Sequence, residues 1–518
     1  MAKRDVPGKP AAKKAAGTKA VASATGRGRS NTAKKAGAPR TRASSPGGFV
    51  DPPGEQPDPW ASVAFGTGGR GFAYKRGQLI IPPASRPALQ SLIGDAQIIN
   101  ESGTLLLAAI PKDISPVRLA ARLRRQGFAS FLNHVFFTDP AHFANVPPVG
   151  RRSAVRTASA GMTANPAYFA NPAYFANPAY FANPAYFANP AYFANPAWYG
   201  SPGLASYLQG SCSCCDEGPA SETDTAVPAP TRSNAVPVPA GDAPVMPPLP
   251  IGVPEVRVVV VDTGLAAVTF RPDFAGGDVQ ARQNSGLDAP DPGHDGYLDP
   301  VAGHGTFIAG ILRRLAPGSR VAVDQVLDTF GVGEDFEIAL HLDAIASSGP
   351  LPHLVNLSFS GYTIDDQPPA AIAGAVASLQ DAGVVVVASA GNSASCRLNW
   401  PAALSDVIAV GALGSQGAAP FSNFGPWVDA CAPGVDIIST FFENCLSGGG
   451  AVPSDSDLDD FKGWARWSGT SFSAPIVVAA LARHMMSHGA SAKDAVKAVL
   501  HDPGLFRFPG LGTVVNEA

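Results

Sequence analysis

The chain of 518 residues is short of charge, of cysteine and of long apolar runs, and each shortage excludes something. Charged residues make up 15% of it, against about a quarter in an average domain. With hydrophobic residues at an ordinary 45%, that argues against a wholly disordered chain, since disorder goes with high charge and few apolar residues. Six cysteines do not make a disulfide framework: Cys212, Cys214 and Cys215 crowd one segment, and Cys396, Cys431 and Cys445 are scattered. The three crowded ones lack the two-pair spacing of a zinc site. No apolar run approaches the 18 or so residues of a membrane span, so none is expected. The clusters at Val258–Val261 and Val384–Val387 have strand length. No apolar core follows the basic N-terminus, so no secretory signal is visible and the cytoplasm is the default compartment, with export by another route left open.

What is plentiful is glycine (55) and proline (50), together a fifth of the chain, which excludes a coiled coil. The net charge of −3 is unevenly placed. Residues 1–46 hold twelve Lys or Arg and a single acid, Asp5. Such a tail has the chemistry to meet a nucleic-acid backbone, but a solvated solubility tail is the plainer expectation. Residues 1–62 read as a basic, Pro-rich disordered tail. Residues 63–140 read as a small α+β domain, with strands at Gln78–Ile81, Thr104–Ile110 and Ala129–Phe137 and helices at Arg86–Ile93 and Val117–Gln126. Ser115-Pro116 and Gly127 frame the second helix with an N-cap, a first-turn proline and a terminating glycine.

Residues 141–254 read as a linker. Within it Asn-Pro-Ala-Tyr-Phe-Ala begins at Asn165, Asn171, Asn177, Asn183 and Asn189, and Asn-Pro-Ala-Trp-Tyr-Gly begins at Asn195. A period of six fits neither helix nor strand, while Asn-Pro favours a turn in every unit. His142–Pro147 resembles a degenerate copy. Low-complexity linker is the plain reading; self-association, or a peptide meant for processing, is the sharper one. From Val256 onward all-apolar strands (Arg257–Val261, Arg320–Val326, Leu354–Ser358, Gly383–Ala388 and Val407–Gly411) alternate with Ala-rich helical patterns. That is the pattern of α/β architecture, a mostly parallel sheet covered by helices on both faces, over residues 255–518.

Four segments of this last region carry chemistry. Val258-Val-Val-Val-Asp262-Thr-Gly264 sets an acid at the carboxyl end of a buried strand, where ligand and catalytic groups collect. Gly303-His304-Gly305-Thr306 places a histidine between glycines ahead of a helix. Ser468-Gly-Thr-Ser471-Phe-Ser-Ala-Pro475 leads into another helix, whose free N–H groups favour a developing negative charge at Ser471. Val385–Ser393 ends in Ala390-Gly391-Asn392, an amide able to donate to an oxyanion. Taken singly, each could serve an ordinary structural role, such as a cap or a loop histidine. Together, in the order Asp, His, Ser, they make a proton-transferring nucleophilic triad.

From about Val256 to its end the chain resembles the subtilisin-like serine proteases, the subtilases. The Asp-Thr-Gly, His-Gly-Thr, Ala-Gly-Asn and Gly-Thr-Ser-x-x-Ala-Pro blocks all occur, 42, 88 and 79 residues apart. Asn356-Leu-Ser-Phe-Ser360, Trp400-Pro-Ala402, Phe421–Gly425 and Ala432-Pro-Gly434 add to the likeness. The resemblance implies a serine endopeptidase acting on a polypeptide substrate through an acyl-enzyme. Ser471 is its nucleophile, His304 the base and Asp262 the orienting acid, with Asn392 and the Ser471 amide binding the oxyanion. Leu357, Ser358, Phe359, Ser360, Gly361, Ala390 and Gly391 are then substrate-side residues. Phe307, Phe472 and Ser473 depart from the usual pattern and are expected to affect substrate fit. No cofactor or metal is required. Calcium, common in the family, is supported by no specific motif, and residues 288–299 and 455–460 are expected to be solvated loops. Residues 65–139 have the size of a subtilase propeptide but lie more than 100 residues upstream, so an accessory domain is the equal alternative. A competing reading makes the chain a precursor whose repeat arm is processed.

Overall fold

A computed structural model describes residues 63–65, 72–94, 96–138, 237–240, 243–267, 277–292, 298–415, 417–446 and 460–516. The expectations for the basic tail, the hexapeptide repeats, Cys212, Cys214 and Cys215, and the acidic stretch 455–459 lie outside them.

The N-terminal unit begins with the antiparallel pair β1 (Val63–Phe65) and β2 (Ala73–Lys75). Next come β3 (Gln78–Ile81), α1 (Arg86–Ile93), β4 (Ile98–Ser102), β5 (Leu105–Ala109) and α2 (Pro116–Arg125). The three strands form an antiparallel sheet in the order β3–β5–β4. Strand alternation divides its apolar residues. Leu79, Ile81, Leu106 and Ala108 meet Leu89, Leu119 and Leu123 of the helices, while Ile80 and Leu107 face the core of the larger domain. Ser115 caps α2 as expected, accepting from Arg118 N at 3.4 Å, so the helix starts at Pro116. The expected strand 129–137 is shorter. Phe131 makes one isolated bridge to Ile80, and β6 (Val135–Thr138) leaves the sheet altogether.

The larger domain opens with β7 (Val238–Pro239), β8 (Arg257–Asp262), β9 (Leu265–Ala266), β10 (Val279–Ala281) and β11 (Leu287–Asp288). Then follow α3 (His304–Leu315), β12 (Arg320–Gln325), β13 (Val332–Glu334), α4 (Asp335–Ser347), β14 (Leu354–Leu357), β15 (Phe359–Ser360), α5 (Ala370–Asp381) and β16 (Val385–Ser389). It closes with β17 (Val407–Gly414), β18 (Gly417–Ala418), β19 (Ala430–Pro433), β20 (Ile437–Leu446), β21 (Asp460–Trp467), α6 (Thr470–His488), α7 (Ala492–Leu500), β22 (Arg507–Phe508) and β23 (Gly512–Val514). The central sheet runs β10–β12–β8–β14–β16–β17–β19–β23–β22, with β18 paired to β17. All pairs are parallel except those of β22 and β18.

Successive valines of β8 go to opposite faces. Val258 and Val260 join the core with α3, α6 and α7, and Val259 and Val261 join the core with α4 and α5. Burial on both faces is why these strands are apolar throughout. The strand order reverses beside β8, which sits between β12 and β14, so the end of β8 lies at the point where a doubly wound sheet opens a crevice. β7 pairs with β21, so the linker expected over 141–254 is tied to the domain there. Cys396 is disulfide-bonded, a pairing the spacing did not suggest. Among the described residues no helix is long and apolar enough to cross a membrane.

Candidate active site

Asp262 ends β8 and His304 begins α3. His304 Nδ1 lies 2.7 Å from Asp262 Oδ1, which also accepts the Thr263 N–H at 2.8 Å, and both side chains are fully buried. The approach depends on Gly305. A Cβ there would lie 2.3 Å from the Gly264 carbonyl oxygen, so only glycine lets the first turn of α3 come this close to the end of β8. Thr263 Oγ1 links the two elements by accepting from Gly305 N (3.0 Å) and donating to Asp288 Oδ2 (2.7 Å). The same Asp288 oxygen accepts from Gly303 N at 2.8 Å.

Asp288 and Asp299 bound the stretch expected to be a solvated loop, and neither is solvated. Both are buried, because their carboxylates fasten neighbouring turns; Asp299 pairs with Thr329. Burial holds Asp288 well above the ordinary carboxylate value, against the pull of the Thr263 and Gly303 donors and with the Asp262 charge adding to the rise. The signal that could have found it is the pair of strands β9 and β11, which set Asp288 opposite Ala266.

Behind the imidazole stands an aromatic wall. Trp467 lies edge-on at 5.4 Å from His304 and Phe472 at 5.3 Å, with Phe307 4.6 Å from Phe472. Phe307 and Phe472 are fully buried, so the expectation that they tune substrate fit is corrected: they pack the back of His304. Ser473 is also internal, donating to the carbonyls of Ala432 (3.0 Å) and Pro433 (3.1 Å) and so pinning α6 to β19.

Ser471 occupies the first turn of α6, where N–H groups lack helical acceptors. Pro475 lies inside this helix rather than in its first turn, since the helix already begins at Thr470. Four residues beyond Ser471, it has no N–H to give the Ser471 carbonyl. The Ser358 hydroxyl makes up the loss, donating to Ser471 O at 2.8 Å while it accepts from Asn356 Nδ2 at 2.9 Å. Ser471 Oγ in turn donates to Ser358 O at 3.3 Å. His304 Nε2 is buried with no hydrogen-bond partner among the described residues, so the structure joins Asp262 to His304 but not His304 to Ser471. Asn392 Oδ1 accepts from Thr470 N and Oγ1, both at 3.0 Å, which fixes the amide against the start of α6. Gly391 N donates to Thr470 Oγ1 (3.2 Å), and the Ala390 carbonyl accepts from Asn423 (2.8 Å) and Asn399 (3.2 Å). Cys431 is no rival nucleophile: burial pushes its thiol up to about 12.

Of the expected substrate-side residues, Leu357 and Phe359 are both core, and Phe359 with Ser360 forms β15, one wall of the channel that β6 fills. Gly361 exchanges both backbone hydrogen bonds with Trp400, at 2.9 and 3.0 Å. The opposite wall is β13, which sequence reasoning missed. β6 lies between the walls, antiparallel to both: Thr138 faces Phe359, Phe137 faces Ser360 and Val332, and Phe136 faces Gly333. Thr138 N donates to Gly331 O at 2.8 Å. Around it, Glu334 pairs with Lys75 and accepts from Asn133 (3.0 Å), and Asp335 N donates to the His134 carbonyl at 2.9 Å.

Residues 254–502 match the model of the Subtilase family. The thermophilic serine proteinase of Bacillus sp. (strain AK1) is 33% identical over 244 residues, 45% of this chain and 52% of that protein. Subtilisin Savinase of Lederbergia lenta is 32% identical over 197 residues, 36% of this chain and 66% of that protein. The extracellular serine proteinase of Thermus sp. (strain Rt41A) is 33% identical over 193 residues, 36% of this chain and 44% of that protein. The chain thus spans between 44% and 66% of the length of these relatives. What four motif blocks in order implied, the match extends over the domain that bears them: through residues 254–502 this chain belongs to the subtilase family.

Proposed function

We propose that the chain is a serine endopeptidase. Ser471 attacks the scissile carbonyl, and His304 takes its proton through Nε2 and passes it to the leaving amine. Asp262 holds the imidazole by Nδ1 and stabilises the imidazolium. The Asn392 amide, its oxygen tied to Thr470, and the Ser471 N–H receive the oxyanion. The observation that carries this reading is the 2.7 Å Asp262–His304 pair, set beside a serine on a helix N-terminus at the head of a channel that holds an extended polypeptide. Reaching His304 requires the Ser471 hydroxyl to turn from the Ser358 carbonyl, a small side-chain rotation of the kind free enzymes make on binding substrate. The scheme needs no metal or cofactor.

The occupant of the channel supports a second element of the reading. Residues 63–138 act as an intramolecular inhibitor, with β6 lying where a substrate strand would lie. Fluorophosphonate labelling tests both parts. Ser471 of the intact chain reacts slowly, cutting of the chain after β6 accelerates it, and Ser471→Ala abolishes both labelling and hydrolysis of a peptide ester. Hydrolysis retained by Ser471→Ala would overturn the assignment.

A further inference from the structure

The strand in the channel and the repeats share one pattern. Asn133-His-Val-Phe-Phe-Thr-Asp-Pro140 and Asn165-Pro-Ala-Tyr-Phe-Ala-Asn-Pro172 both read Asn, any residue, small or branched, two aromatics, small, Asn or Asp, proline. The match repeats in the same frame from Asn171, Asn177, Asn183 and Asn189. The structure shows what each position does in the strand. Asn133 donates to Glu334 (3.0 Å) and accepts from Phe336 N (3.1 Å). Phe136 is fully buried in the core with Phe336, Ile338 and Phe359, the last 6.4 Å away edge-on. Space for that ring exists because residue 361 is glycine; a Cβ there would lie 2.8 Å from the Phe136 ring. Thr138 rests on Gly331, whose Cβ would meet its hydroxyl. An alanine fits there with room to spare.

On the reading that Ser471 is the nucleophile, we infer that the hexapeptide repeats are ligands of this same channel, entering in the β6 register and competing with β6 without being cut. Carried one residue past Thr138, the register sets the next position of a bound chain opposite Ser358, whose carbonyl oxygen is 3.3 Å from Ser471 Oγ. In each repeat that position is asparagine and the bond after it leads to proline. An Asn-Pro bond is a tertiary amide. Its nitrogen carries a ring carbon where an ordinary scissile amide has hydrogen, and the ring fixes φ. Proline also confines the asparagine before it to extended backbone, which suits strand pairing and disfavours the rearrangement that cleavage needs. Reach is no obstacle. Asn165 follows Thr138 by 27 residues, and a chain of that length spans at most about 90 Å, far more than the length of a four-residue strand.

The test uses the full chain with β6 displaced, by Phe136→Ala and separately by Thr138→Pro, which removes the donor to Gly331. The probe is a fluorescein-labelled dodecapeptide of two repeats. It is expected to bind in an anisotropy titration, to slow fluorophosphonate labelling of Ser471 competitively, and to be recovered intact by mass. Alanine in place of its tyrosines weakens binding by about tenfold or more, since a buried ring is lost. Alanine in place of its prolines turns it into a substrate cut after asparagine. Deleting residues 165–200 from the displaced chain speeds labelling severalfold. Cleavage of the unaltered peptide, or failure to bind either displaced chain while Ser471 still labels, overturns the inference alone. Tyrosine-dependent binding to a chain that neither labels nor hydrolyses sustains the recognition and removes the protease reading instead.

Discussion

The most telling perturbation is Ser358→Ala, because its cost follows from one missing hydrogen in the backbone. Pro475 cannot donate to the Ser471 carbonyl, and the Ser358 hydroxyl takes its place at 2.8 Å in a fully buried setting. Removing the hydroxyl orphans that carbonyl and also the Asn356 amide, which donates to Ser358 Oγ at 2.9 Å. Each buried orphan costs about 1–3 kcal/mol, so the loss is about 2–6 kcal/mol before relaxation. Pro475→Ala in the same chain returns an N–H four residues beyond Ser471. The double variant is therefore expected to regain about 1–2 kcal/mol relative to the sum of the single effects, a coupling that a double-mutant cycle reads directly. Urea unfolding of fluorophosphonate-blocked protein supplies the energies. The labelling rate of unblocked protein shows in parallel whether Ser471 stays positioned, and it is expected to fall at least tenfold in Ser358→Ala and to recover partly in the double variant. Additive energies, or a Ser358→Ala cost below about 0.5 kcal/mol, the scatter of ordinary surface changes, would refute the reasoning.

Three further outcomes follow, one from close packing and two from buried titratable groups. Gly305→Ala puts a Cβ 2.3 Å from the Gly264 carbonyl, so α3 is pushed from β8. Hydrolysis of a peptide ester is expected to drop at least a hundredfold in about the pattern of a lost catalytic base, while near-native labelling and turnover would contradict the packing argument. His134 is pushed down to about 4, chiefly by burial, with the Arg124 charge adding to the fall and Asp365 opposing it. It is neutral in the folded chain, so the unfolded chain alone gains its proton as pH falls from the ordinary 6.5 toward 4, and stability is lost in that window. His134→Gln removes the titration, and its stability relative to the parent is expected to rise by about 3 kcal/mol between pH 7 and pH 4. Asp335, raised to about 7 by burial against the amides of Ile372 and Ala371, works the other way. The unfolded chain ionises there first as pH rises from 3.8 to 7, so Asp335→Asn gains relative stability toward neutral pH. Urea midpoints at three pH values check both, and gaps that do not move with pH would count against the burial of these groups.

The sequence by itself determined the architecture of the larger domain. Strands apolar throughout can only be buried on both faces, so the parallel sheet and its helices were legible from Val258–Val261, Leu354–Leu357 and Val385–Val387. The short motifs were legible as a set: each alone passes for a cap or a loop histidine, and it is Asp262, His304, Asn392 and Ser471 in that order that point to one site. Local signals even set the start of α2, where Ser115 and Pro116 act within one turn. What only the tertiary structure decided involves contacts between residues far apart in the chain. Phe307 and Phe472 read as substrate-side neighbours of the motif residues, yet packing turned them inward against His304 and Trp467. Asp288 read as part of a solvated loop, yet it ends β11 and is buried where Thr263 and Gly303 donate to its carboxylate. Above all, Val135–Thr138 carries no local mark of its partner. A four-residue apolar strand pairs with whatever edge is open, and it was the unpaired edges of β13 and β15, more than 190 residues away in sequence, that drew it into the channel and gave the N-terminal unit its place.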